Sequence, residues 1–472
     1  MKTTTFLLLL FSFATTAQGF LIDEERYDRI PLQSQYNDGS KSENKALEGV
    51  KQHSLKAFCP RVQDQGDLAT CVGWSVGYAA LSILHAVNND WRGQTDLITK
   101  YAFSSHFVFN QIKMGESGCG SGAFVDSALM LLQTRGNLVT SAFDEELEDC
   151  SRLPTAEELE EASNNKILDY AMLFKKETAA QIKINKTKLS LLNNQAVILG
   201  LMTPRSFVSP KMKGASRWQP RAGERGFFGH ALVVVGFDDT KNAFEVMNSW
   251  GTEWGDQGFT WMDYEDFAKY AYYAFQMSID DKKKRDATYT GTFALRRFLG
   301  LDQNEKAIFE DIRLKRNRKK YYQINRKEES IQRGSVFQLL VSQVTGGMYL
   351  YAFGIESDGT IKHYFPLEGE HPKITVPEVE LFLPEREGGL QFNKKGKEHI
   401  VLLYSTQAIP DFRTRTAFVT AKNDDLLEQL YTLFNEDMIP LKEINFNKSK
   451  IQFDHAAKKA HITPLVLEID VR

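Results

Sequence analysis

Cys71 stands six residues after Gln65 in the run QGDLATC and directly before an apolar, helix-like stretch, VGWSVGYAAL over residues 72–81. A thiol in the first turn of a helix feels the positive end of the backbone dipole, which lowers its pKa and raises the thiolate fraction at neutral pH. Further along, Gly229-His230 opens the apolar run 231–235, and Asn248-Ser249-Trp250-Gly251 closes the strand after it. Cysteine, histidine and asparagine in that order, with a glutamine just upstream of the thiol, are the four parts that thiol acyl transfer needs. They are a nucleophile, a base to ionise it, a polar group to orient the base, and a side-chain amide for the oxyanion. Trp250 would cover the histidine–asparagine hydrogen bond from water and strengthen it in a lower dielectric.

Each residue also has a plainer reading. Free cysteine is among the most buried residue types, so Cys71 alone could be structural. His230 is one of nine histidines, and a lone histidine before an apolar strand is usually structural too. It is singled out by its Gly-His-Ala-Leu-Val context and by the Asn-Ser-Trp-Gly that follows 18 residues later (248 − 230). The cysteines and histidines lack CxxC or HExxH spacing, so neither a metal nor another cofactor is expected.

The blocks QGDLATCVGWS, Gly118-Cys119-Gly120-Ser121-Gly122, GHALVVVGFDD around His230 and NSWGTEWGDQGF from Asn248 resemble the papain-like cysteine peptidases over residues 51–280. Two positions depart from the family pattern: Leu68 replaces a disulfide cysteine, and Val72 replaces the aromatic residue after the nucleophile. From Cys71 to His230 is 159 residues (230 − 71), a little above the roughly 130–150 of papain relatives, which leaves room for a loop insertion. The resemblance implies an α+β fold with a helical lobe, a β lobe and the site in the cleft between them. It makes Cys71 the nucleophile, His230 the general acid/base, Asn248 its orienter and Gln65 the oxyanion donor. It places the backbone of Gly122 beside the substrate chain, and Phe124 and Phe228 around the pocket for the second residue on the acyl side. The substrate is then a peptide or protein. Two other classes share these parts: a catalytically inactive binding scaffold, and an amidase or transglutaminase-type acyl transferase. Transglutaminases generally complete the triad with aspartate, so Asn248 favours the peptidase.

A chain of 472 residues is too long for one core. Residues 1–19 read as a secretory signal: Lys2 is the positive start, 6–13 the apolar core, and Ala17-Gln18-Gly19 a small-x-small cleavage site. That core is far short of the roughly 20 residues that span a bilayer. A secreted or periplasmic monomer is expected, without a membrane span or a lipoprotein cysteine. Residues 20–50 read as a flexible polar leader, too short and too polar for the inhibitory helical prosegment common in the family. If Cys71 is the nucleophile, Cys59, Cys119 and Cys150 can form at most one bridge. Cys119 and Cys150 match family cysteine positions whose usual partners are absent, and the pairing stays open.

The net charge of −3 offers no general attraction to nucleic acid. The basic runs 282–285 and 313–320 read as a solvated linker and a hairpin edge. Helical spacing over 124–132 and the capping-box pattern Thr155-x-x-Glu158 give way to short apolar strands from 197 onward. After a linker at 281–288, residues 289–472 read as a separate, mainly β, sandwich-like domain with one helix at 424–434 and a hairpin turn at 357–360. The stretch GGMYLYAFGIESDGTIKHYFP, followed by GKEHIVLLYS, resembles the DUF4384 family, a bacterial domain of unknown function found on secreted or envelope enzymes.

Overall fold

The structure, a computed structural model, describes residues 19–33, 46–115, 118–143, 149–280, 288–304, 307–324, 331–342, 344–345, 347–374, 381–383, 389–420, 425–446, 451–456 and 460–472. Residues 1–18 of the expected signal peptide 1–19, residues 34–45 of the leader and residues 281–287 of the linker 281–288 lie outside these residues.

Cys71 begins a helix that continues to Asn88 and widens to the i→i+5 pattern over Gly73–Ala80. Its neighbour is the helix Ser105–Ile112, whose first turn is capped by the Ser104 hydroxyl accepting from Phe107 N–H at 2.7 Å. The two helices meet at glycines. A Cβ on Gly73 would stand 2.4 Å from Ser105 O, and one on Gly77 2.7 Å from Ser104 O. Local π geometry at a functional helix is common, and here the glycines let the partner's backbone approach. The expected helices form as Val125–Thr134 and Ala156–Ala162, the second with both arms of its capping box.

The β lobe is an antiparallel run in the order Asp169–Phe174, Ala271–Ser278, Val197–Thr203, Phe228–Asp238, Ala243–Met247 and Phe259–Asp263. Every residue of Phe228–Asp238 is buried, so this strand lacks the alternation of a half-exposed one and reads instead as a continuous apolar run.

In the C-terminal half, one sheet contains Thr288–Leu301 and Val336–Ser342, and a second contains Ile462–Val471, Gly396–Ser405, Tyr349–Ile355 and Ile361–Phe365. Side-chain alternation along the second sheet feeds two cores. Leu350, Ala352, Ile400 and Leu402 join Phe293, Leu295 and Leu339 of the first sheet. Tyr351, Phe353, Val401 and Leu403 face Leu426, Leu427 and Leu430 of the helix Leu426–Phe434. The turn at 357–360 closes a hairpin, with Glu356 N–H donating to Thr360 O at 2.8 Å and Gly359 at φ 92°.

Residues 20–33 do not behave as the sequence led us to expect of a polar leader. Phe20 and Tyr27 are fully buried, and Asp23 caps a short helix, Glu24–Asp28. The strand Leu32–Gln33 then runs parallel to both Asp169–Phe174 and Glu370–His371, and so carries the β-lobe sheet across to the C-terminal half. Two aromatic residues among charged ones are too few to register as a periodic element, yet each buries a large apolar surface.

Candidate active site

His230 lies on the strand Phe228–Asp238, and its Nε2 is 2.7 Å from Asn248 Oδ1. The same oxygen accepts Ser249 N–H at 2.9 Å. An amide oxygen only accepts, so Nε2 carries the proton and Nδ1 is left as the basic nitrogen. The Trp250 indole stacks on the imidazole at 4.4 Å and 27°. Across the cleft, Ala231 N–H, one residue beyond His230, donates to Cys71 Sγ at 3.4 Å.

Gln65 is fixed by the segment that carries Asn248. Its backbone N–H donates to Ser249 O at 2.8 Å, and its side-chain Oε1 accepts the Ser249 hydroxyl at 2.6 Å. Its Nε2 donates one hydrogen to Leu68 O at 2.7 Å. Its second amide hydrogen is not used in these bonds. Ser249 was not singled out in the sequence, although its place between Asn248 and Trp250 was visible.

Burial works against the helix-end activation expected of Cys71. Burial pushes the Cys71 thiol up to about 12, against the backbone N–H groups of Ala231, Val72 and Cys71 that pull the other way. Burial also takes His230 down to about 4, with Asn248 opposing. In this covered state burial disfavours the charged form of both groups and so pulls against the helix end.

The cover is the segment 19–33. A Cβ on Gly19, the last residue of the expected signal peptide 1–19, would stand 2.5 Å from Cys71 Sγ, so before cleavage the chain passes directly over the sulfur, and after cleavage the strap begins at Phe20. Gly19 O accepts Ala123 N–H at 3.0 Å, and Leu21 N–H donates to Ala123 O at 3.0 Å. Phe20 N–H reaches Gly229 O at 3.3 Å. The carbonyl of the 19–20 peptide thus points to Ala123 and not to the Gln65 amide, a poor geometry for attack. The Phe20 ring enters a pocket floored by Gly200, where a Cβ would stand 2.5 Å from the ring, and edged by Tyr273 at 6.5 Å. Tyr27 stacks on Tyr273 at 4.2 Å, and Arg26 binds Asp126 at 2.8 Å while lying 4.3 Å over the Phe124 ring. Burying Phe20 alone contributes about 1.5–3 kcal/mol to this arrangement.

Of the residues expected to line the substrate groove, Phe124 is buried under Arg26 and Tyr27, and Phe228 packs against Phe227 at 4.7 Å. Gly122 gives its carbonyl to Met114 N–H at 3.1 Å, while the next residue, Ala123, offers both backbone groups to the strap. Gly200 and Gly229 were missed. A glycine inside an apolar strand signals close approach of another backbone or ligand, and Gly200 within Val197–Thr203 carried that signal. Cys119 and Cys150 form the disulfide, leaving Cys59 and Cys71 as buried free thiols. Among the described residues, no group of three or more His, Cys, Asp or Glu is placed to hold a metal, and no helix is long and apolar enough to cross a membrane.

The family profile described as papain family cysteine protease matches residues 52–277. An uncharacterised peptidase C1-like protein of Acanthamoeba polyphaga mimivirus is 27% identical over 207 residues, 43% of this chain and 64% of that protein, so the chain spans less than two thirds of that relative. Xylellain, a cysteine protease from Xylella fastidiosa, is similar at 20% identity and TM-score 0.45, over 56% of this chain and 96% of that one. Digestive procathepsin L2 proteinase from Tenebrio molitor larval midgut is similar at 14% identity and TM-score 0.43, over 56% of this chain and 79% of that one. Residues 52–277 are a cysteine peptidase domain of the papain family, a family of hydrolases.

Proposed function

We propose that the chain is an exported cysteine endopeptidase in which Cys71, His230, Asn248 and Gln65 carry the reaction. His230 Nδ1 takes the Cys71 proton as the sulfur attacks the peptide carbonyl. The oxyanion lies between the free Gln65 amide hydrogen and Cys71 N–H at the helix start. His230 returns the proton to the leaving amine, which departs and leaves a thioester on Cys71. Water, deprotonated by His230, then hydrolyses the thioester and regenerates the thiol. The observation that carries this reading is the juxtaposition of the Cys71 sulfur with Ala231 N–H, next to a His230 whose other nitrogen is tied to Asn248.

Export is supported by the signal-like start of the sequence and by the Cys119–Cys150 disulfide, a bond that persists in oxidising compartments. The C-terminal half, with its DUF4384-like strand pattern, is proposed as a separate β domain.

The test is hydrolysis of peptide libraries by the purified chain and its Cys71→Ala variant. Cleavage lost in Cys71→Ala with an unchanged circular dichroism spectrum is the expected result. Equal cleavage by both chains would overturn the assignment, and transfer to added amines without hydrolysis would favour the acyl-transferase class.

A further inference from the structure

The strap over Cys71 is held at its far end by the C-terminal half as well as by the peptidase lobe. Leu32 pairs with Met172 on one side, but Leu32 and Gln33 pair with Glu370 and His371 on the other. Leu32 N–H donates to Gly369 O at 2.9 Å. Beyond residues 34–45, Ala46 and Leu47 pack again on the C-terminal core, so this region grips the leader at two places.

The segment that holds Leu32–Gln33 is itself fastened across the seam. Asp169, on the peptidase strand beside Leu32, accepts the Tyr349 hydroxyl at 2.6 Å and lies 3.2 Å from His371 Nε2. His371 Nδ1 accepts Lys373 N–H at 3.3 Å, so Nε2 carries the proton toward Asp169. Lys373 reaches the Ser278 hydroxyl at 2.7 Å. Burial would raise the Asp169 carboxyl, yet His371, Lys373 and Tyr349 together hold it below the usual carboxylate range. A cleft of about 660 Å³, lined by Arg26, Arg29, Pro31, Asp126, Asp169 and His371, opens beside these contacts and makes the seam reachable from solvent.

We propose that the C-terminal half is a clasp that regulates the peptidase: the strand 370–371 pins the strap in the cleft, and parting the Asp169–Tyr349–His371 seam uncovers Cys71. The inference rests on the peptidase reading for what is regulated, but the clasp is a statement about access to the thiol and can be read without a substrate. A sheet strand shared between two units transmits their separation directly, because its backbone bonds on one side are lost when that unit moves.

The experiment compares the purified full chain with Leu32→Pro and with His371→Ala. Leu32→Pro removes the N–H given to Gly369 and lies on the strap; His371→Ala removes one seam contact, the one to Asp169, from the other side. Two rates are read: iodoacetamide alkylation of Cys71, mapped by mass spectrometry with Cys59 as the buried reference, and hydrolysis of a fluorogenic peptide. Both variants should alkylate Cys71 about tenfold faster than the wild type, as expected for losing one hydrogen bond that holds the cover. Should His371→Ala unfold, Cys59 will label as well, and Leu32→Pro alone decides. Faster alkylation without hydrolysis in any chain sustains the clasp and sinks the peptidase reading. Wild type that hydrolyses peptide, with Cys71 alkylated equally fast in all folded chains, sinks the clasp and leaves the peptidase reading standing.

Discussion

His230 Nε2–H meets Asn248 Oδ1 at 2.7 Å beneath the indole of Trp250, so the imidazole is held in one tautomer and one plane. Asn248→Ala would leave that N–H buried and unpaired, a loss of about 1–3 kcal/mol, or about tenfold to a hundredfold in kcat with KM little changed. Steady-state kinetics on one peptide substrate reads both terms. An unchanged kcat would mean that the Trp250 stack alone orients His230.

Gln65 is tied to Ser249 and Leu68 before any substrate arrives, which makes its remaining amide hydrogen a preorganised donor. Gln65→Ala should remove about 2.7–4 kcal/mol of transition-state stabilisation, expressed in turnover. A kcat within about threefold of wild type would take Gln65 out of the oxyanion site.

Burial holds the folded His230 near 4 against an ordinary value of 6.5. A group with a depressed folded pKa stabilises the folded state fully above its unfolded value and loses that contribution as pH falls toward the folded one. The wild type should therefore lose stability between pH 6.5 and about 4 relative to His230→Gln, by about 3 kcal/mol in all. Urea unfolding at pH 7, 5.5 and 4 measures the divergence. Parallel curves would show that folding leaves the proton affinity of His230 unchanged.

The local signals of the peptidase half were legible because they are chemical and close in sequence. Gln65 to Cys71, Gly229-His230 and Asn248-Ser249-Trp250 each sit on one element, and the capping box at Thr155 formed as its residue pattern implied. The strands Thr288–Leu301 and Ile462–Val471 were not legible, since their place depends on partners as far away as Gly396–Ser405, which pairs with Ile462–Val471 along its whole length. The strap escaped notice for a related reason. Phe20 and Tyr27 look like isolated aromatics until the glycines at 200 and 229 and the ring of Tyr273 are brought to them from elsewhere in the chain. Burial of the thiol under that strap also opposes the helix-end effect on Cys71 in the covered state.

The pocket filled by Phe20 offers a prediction about specificity. The ring lies where a Cβ on Gly200 would come within 2.5 Å of it, and Gly229 admits the strap backbone in the same way. An aromatic side chain fits because both positions lack a side chain, so a substrate that displaces the strap should present a bulky apolar residue there. Gly200→Val fills the floor without touching Cys71, His230, Asn248 or Gln65. It should cut kcat/KM for substrates with phenylalanine at that subsite about tenfold to a hundredfold relative to those with alanine, the range for a methylene-scale mismatch in an apolar pocket. The same substitution should expel Phe20 and speed Cys71 alkylation. Phe228→Ala and Phe124→Ala, compared in the same positional peptide library, separate the walls from the floor. Phenylalanine preference kept in Gly200→Val but lost in Phe228→Ala would place the pocket at the two phenylalanines instead, and would mean that the strap ring occupies a site that substrates do not use.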